Sequence, residues 1–206
     1  MQIDEQLNAI LEPILEELNL YDNNRETIIQ LTRQLNRDAG KGIAAIVKGN
    51  DPQRYLDSTR TTYAKLHPIM ETTASVLSWN VAASGVEEYA ELEILNAIVQ
   101  QQHIPDPRAL KIPSWIWITG LADVVGELRR IVLRNLLTKN IPQAQIHLEQ
   151  MNAIYDAIIG LEFGKQIANS LRKKVDTARY LLERTESDML MASLGWKISE
   201  HNSEGE

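Results

Sequence analysis

The sequence has no cysteine in its 206 residues. That absence excludes a disulfide framework, thiolate zinc sites, iron–sulfur ligation and a cysteine nucleophile. Phenylalanine occurs once, glycine 10 times and proline 7 times, and no run alternates apolar and polar residues for long enough to suggest a sheet. No stretch approaches the roughly 18 unbroken apolar residues of a membrane span. The start, Met1-Gln2-Ile3-Asp4-Glu5-Gln6, lacks the basic and apolar segments of a secretory signal. These absences lead to the expectation of a soluble, cytoplasmic protein.

What is present is enough for a core: 44% of residues are apolar and 24% charged. The length suits one domain spanning 1–206. A balance of 21 basic and 28 acidic residues gives −7, which argues against nucleic-acid binding over the whole surface. The charge is segregated, however. Residues 1–24 carry Asp4, Glu5, Glu12, Glu16, Glu17 and Asp22 and no base, whereas 163–184 carry Lys165, Arg172, Lys173, Lys174, Arg179 and Arg184 against Asp176 and Glu183. Local charge is the better guide to partners.

Almost the whole chain reads as helix. Ile10, Leu11, Ile14, Leu15 and Leu18 form one stripe, so 1–24 is expected to be an acidic N-terminal helix. Ile28, Leu31, Leu35, Ala39, Ile43 and Ile46 form a longer one, stopped at Gly49-Asn50-Asp51-Pro52. The following helix is expected to kink or end at His67-Pro68. Ser84 with Glu87 and Glu88 resembles a capping box opening a third segment. Further helices are expected from Pro113 to about Lys139, from Pro142 to Gly160 or Gly164, and onward to Leu194-Gly195. A frayed tail is expected over 197–206.

Two segments carry candidate chemistry. Asp123 and Glu127 lie one turn apart on the 113–139 helix, where like charges destabilise unless a cation lies between them. Oxygen-only ligands favour Mg²⁺ or Mn²⁺ over zinc. The bland alternative is a solvated face with Glu127 paired to Arg130. Glu88 and Glu91 sit on a helix apolar nearly all round, hence one expected to be buried, where a carboxylate needs a proton, a partner or a metal. Glu87 and Glu93 are expected to face solvent, and a charged rim of four glutamates is the alternative. Should the two helices pack together, Glu88, Glu91, Asp123 and Glu127 suit a one- or two-metal phosphodiesterase centre. None of the four histidines follows a Glu by three residues, which weakens a ferritin-like di-iron reading.

Basic residues could neutralise phosphates: Arg33, Arg37, Lys41 and Lys48 on the second stripe, Arg129, Arg130 and Arg134, and Arg172, Lys173 and Lys174. By themselves such groups are more often solvated helix faces. Trp79, Trp115, Trp117 and Trp196 could stack on bases, though packing is the ordinary role. Gly40, Gly42 and Gly49 do not make a nucleotide-binding loop, and no nucleophile–base pattern stands out.

The segment Gly120-Leu-Ala-Asp-Val-Val-Gly-Glu-Leu-Arg-Arg130 resembles the translin/Trax family. So do Leu171-Arg-Lys-Lys-Val-Asp176, with Val175 where the family has tyrosine, and Glu88-Tyr-Ala-Glu91, similar to the Glu-Tyr-x-Glu element of Trax. The basic helix followed by Gly-Asn-Asp agrees with archaeal-type members. The resemblance implies an all-α, seven-helix bundle protomer that assembles into a hollow eight-subunit barrel, a homo-oligomer holding RNA or single-stranded DNA inside. Trax-type subunits are metal-dependent endoribonucleases, while translin-type subunits bind without cutting. The resemblance carries the catalytic, metal-holding roles onto Glu88, Glu91, Asp123 and Glu127, with Mg²⁺ or Mn²⁺ as cofactor. Arg33, Arg37, Lys41, Arg130, Arg172 and Lys173 are the candidate RNA contacts. The acidic N-terminal region is a departure from the family pattern.

Overall fold

The computed structural model describes residues 3–73, 78–161 and 165–203, with the side chains of 17, 165–170 and 196–203 left aside. Six α-helices follow one another: α1 (Ile3–Lys48), α2 (Gln53–Thr73), α3 (Ala83–Val99), α4 (Ser114–Leu137), α5 (Ile141–Ile159) and α6 (Lys165–Ser203). A 3₁₀ turn, Trp79–Val81, precedes α3, and no strand occurs among the described residues. The all-α expectation holds. With the 3₁₀ turn, the described residues hold seven helical segments, in line with the expected bundle, but the acidic N-terminal segment is not a separate helix: α1 runs unbroken for 46 residues and includes Pro13. No glycine or proline lies between Leu18 and Ile28 to stop it.

The core follows from the stripes. On α1, Ile28, Leu35, Ala39, Ile43 and Ile46 are buried at three-, four- and seven-residue spacing. This face packs on α2 and α3, α3 packs on α4, and α4 packs on α5 and α6. Helix α1 ends where Asn50 N–H donates to Ala45 O and Gly49 N–H to Ile46 O, both at 2.8 Å. That closure needs a left-handed residue, and Gly49 supplies it at φ +70°.

Three local expectations are corrected. Helix α2 passes through Pro68 to Thr73, because burying Met70 and Thr73 beyond it offsets the hydrogen bond the proline removes. Ser84 does not cap α3. It lies inside the first turn, where its hydroxyl accepts from Asn36 Nδ2 at 3.4 Å, and the 3₁₀ turn feeds the helix directly from Ala82. Helix α6 continues past Gly195 to Ser203, so the backbone of 197–203 is helical, while 204–206 lie outside the described residues.

Helix α3 is buried almost all round, with Val86, Ala90, Leu92, Ile94 and Leu95 sealed from solvent. Its seam with α4 is tight: a Cβ on Gly120 would lie 3.0 Å from the Glu87 carbonyl oxygen. This close approach brings the acidic residues of the two helices together. Trp79, Trp115 and Trp117 pack against the core, and the Trp117 indole N–H donates to Pro105 O at 2.9 Å, anchoring the loop before α4.

Candidate functional site

Helix α3 carries Glu87, Glu88 and Glu91 at the seam, α4 carries Asp123 and Glu127, and α6 brings Lys174 alongside. Glu91 is buried at 6% exposure, whereas Glu87, Glu88, Asp123, Glu127 and Lys174 are half-buried. Burial pushes the Glu91 carboxyl up, and the charges of Glu88, Asp123 and Glu127 add to it, to about 9. Glu88 is raised by burial first and then by Asp123, Glu87 and Glu127. Asp123 rises to about 6 through burial, with its hydrogen bond to Lys174 opposing. Glu88 and Glu91 therefore share one electrostatic neighbourhood with Asp123 and Glu127 across the α3–α4 seam, whose charges disfavour theirs.

Two cations already answer part of that charge. The Lys174 ammonium donates to Glu87 Oε1 at 2.5 Å and also to Asp123 Oδ2. Burial would lower its pKa, but the bonds to Asp123 and Glu87 outweigh that and raise it. Arg130 Nη1 donates to Glu127 Oε2 at 2.7 Å, the helix-surface pair anticipated as the bland alternative. Beside Asp123 and Lys174 lies a cleft of about 130 Å³, bounded also by Gly126, Thr177 and Leu181.

The donor set fits a hard divalent cation in kind: it is all oxygen and anionic, and Glu88, Glu91 and Asp123 are raised in pKa by burial and by neighbouring carboxylates whose repulsion a cation would relieve. Among the described residues, no three such side chains are yet gathered around one point. Lys174 and Arg130 hold Asp123 and Glu127 instead.

Two glutamates expected in solvent are not there. Glu93 is buried, held by a bidentate pair in which Arg60 Nε and Nη2 donate to its two carboxylate oxygens at 2.7 and 2.8 Å. A buried carboxylate requires such a partner. Glu87 joins the seam through Lys174. Its signal was in the sequence, since Glu87 and Glu91 are four residues apart and share a helix face. Lys174 was also readable: it lies one turn from Leu171 and Ala178, both buried, and so on the inward arc of α6, whereas Arg172 and Lys173 point outward.

The predicted phosphate contacts are all exposed. Arg33, Arg37 and Lys41 recur every four residues on α1, with Lys41 at 4.0 Å from Asp38. Arg172 and Lys173 are exposed on α6, and Arg130 is spent on Glu127. The two basic sets sit on separate helices, α1 and α6, both of which pack on α4.

The sequence pattern of the Translin family matches residues 19–194. The chain belongs to the Translin family. An uncharacterised protein of Methanocaldococcus jannaschii is 28% identical over 181 residues, covering 87% of this chain and 81% of that protein. The solved complex of AfC3PO with duplex RNA superposes with a TM-score of 0.82 at 26% identity, covering 90% of this chain and 97% of the other. The crystal structure of AfC3PO gives the same values. Apo-NeC3PO, at 17% identity and TM-score 0.79 over 88% of this chain and 96% of that one, shares the fold. In this Translin-family chain the exposed apolar arm at residues 3–18 precedes the matched segment.

Proposed function

We propose that this chain is a Mg²⁺- or Mn²⁺-dependent endoribonuclease acting on single-stranded or poorly paired RNA inside an oligomeric barrel. The observation that carries the reading is the placement of Glu88, Glu91, Asp123 and Glu127 at the α3–α4 seam, where burial and neighbouring carboxylates raise Glu88, Glu91 and Asp123 in pKa. These residues would hold the ion. When bound, it supplies a water of lowered pKa and offsets charge on the reacting phosphate. Arg33, Arg37, Lys41, Arg172 and Lys173 bind RNA phosphates by charge, and Arg130 joins them on release from Glu127. The relation to AfC3PO, solved with duplex RNA, supports nucleic-acid binding.

The N-terminal arm supports assembly with further copies. Ile3, Leu7, Ile10 and Ile14 are exposed, at 70%, 48%, 58% and 43%; Leu7 and Ile14 lie in heptad phase with the buried Ile28 and Leu35, and Ile3 and Ile10 with the partly buried Leu31. The core-facing stripe of α1 thus continues onto an exposed surface, and a homo-oligomer, an octamer by family resemblance, would cover it. A barrel with basic residues inside and acidic residues outside reconciles RNA binding with a net charge of −7.

A binding protein without hydrolysis is the second reading. It is favoured by the ion pairs that already neutralise Asp123 and Glu127. Cleavage of end-labelled single-stranded and duplex RNA in Mg²⁺ or Mn²⁺, comparing the wild type with Asp123→Asn, separates the two. Cutting by the wild type alone is expected. Equal cutting by both proteins removes Asp123 from the chemistry. Intact RNA in either metal, with binding that weakens steeply as salt rises, selects the binding protein.

A further inference from the structure

Lys174 has a place in the site that its neighbours Arg172 and Lys173 do not. Its ammonium, from α6, bridges Glu87 on α3 and Asp123 on α4, so a single positive charge ties three helices at the acidic seam. It is 21% exposed, whereas the two bases before it are exposed. Its charge also bears on both Glu88 and Glu91. Of the five carboxylates at the seam, Glu87 and Asp123 pair with Lys174 and Glu127 pairs with Arg130, and Glu88 and Glu91 rely on Lys174 only at longer range.

We infer that Lys174 is a displaceable internal counter-cation: it holds Asp123 and Glu87 in the metal-free protein and must release Asp123 before a divalent ion can take that carboxylate. The inference rests on the proposal that the seam binds metal. Its physical basis is competition. An ammonium and a divalent ion cannot both occupy the charged side of one carboxylate at contact distance without strong repulsion. The cleft of about 130 Å³ bordered by Asp123, Lys174, Gly126 and Thr177 gives the released ammonium room to move without leaving the site. Lys174 is thus a positioning residue that sets how tightly the seam takes a cation.

The experiment is Mn²⁺ titration of the full chain at fixed ionic strength, by calorimetry and by the electron paramagnetic resonance of free Mn²⁺. Wild type, Lys174→Met, Lys174→Gln and Asp123→Asn are compared, with thermal melts in chelator and in Mn²⁺. Replacing Lys174 is expected to tighten Mn²⁺ binding about tenfold and to lower Tm in chelator, with added Mn²⁺ restoring it. A merely structural lysine would lower Tm without tightening metal binding. Equal or weaker binding by folded Lys174→Gln, with the wild type binding and Asp123→Asn not, overturns the role of Lys174 and leaves the metal site standing. No Mn²⁺ binding by the wild type or by either Lys174 variant overturns both.

Discussion

Glu91 offers the sharpest test of the seam, because its burial turns into a pH dependence of stability. Its carboxyl is raised from an ordinary 4.5 to about 9. Between those values the folded chain keeps a proton that the unfolded chain gives up, so stability falls as pH rises across this window. Below 4.5 both states are protonated and the group contributes nothing. At pH 7 the span of about 2.5 pH units corresponds to at most about 3 kcal/mol of destabilisation, with side-chain rotation and entering water relieving part of it. Glu91→Gln removes the ionisable group while keeping its shape. In chelator, urea or thermal melts should therefore show the variant about equal to the wild type near pH 4.5, and more stable by about 1–3 kcal/mol at pH 7. The gap should widen further toward pH 9. A variant less stable than the wild type, or a gap that does not change with pH, would refute the account of a buried, proton-holding carboxylate. With Mn²⁺ present the advantage should shrink or reverse, since the ion favours the ionised glutamate over a neutral amide.

Other perturbations probe the packing that builds the site. Arg60→Met strands the Glu93 carboxylate at 5% exposure. Arg60 itself is half exposed, so denaturant melts should show a loss of about 1–2 kcal/mol rather than the larger loss of a fully buried pair. Gly120→Val pushes a side chain into the Glu87 carbonyl, 3.0 Å from the added Cβ. A cost of about 1–3 kcal/mol in Tm-derived stability is expected, together with weakened Mn²⁺ binding, as α3 and α4 are forced apart. Ile10→Glu with Ile14→Glu places charge on the exposed arm, and mass measurement in solution should show a smaller assembly than the wild type while the melt of the bundle is retained.

The helical class was legible in the sequence because its evidence is local. Spacing of four and seven residues along Ile28, Leu35, Ala39 and Ile43 marks the buried face whatever packs on it, and apolar residues on every side of 86–98, between its glutamates, mark a helix with little free surface. The residue types of the site were legible for the same reason, since Glu88, Glu91, Asp123 and Glu127 stand in short motifs with helical spacing. Partners across the bundle were not. The fate of Glu93 depended on Arg60, 33 residues away, and that of Asp123 on Lys174, 51 residues away. Neither distance is encoded by any local period. The ends of helices were also decided by tertiary context: Pro68 read as a kink or an end and Gly195 as an end, yet α2 and α6 run through them. The sequence by itself therefore determined which faces are apolar and which residues bear charge, because those properties belong to single side chains and their turn-to-turn neighbours. Only the tertiary structure decided which charges meet, because the cost of a buried carboxylate depends on whichever cation the packing brings within contact of it.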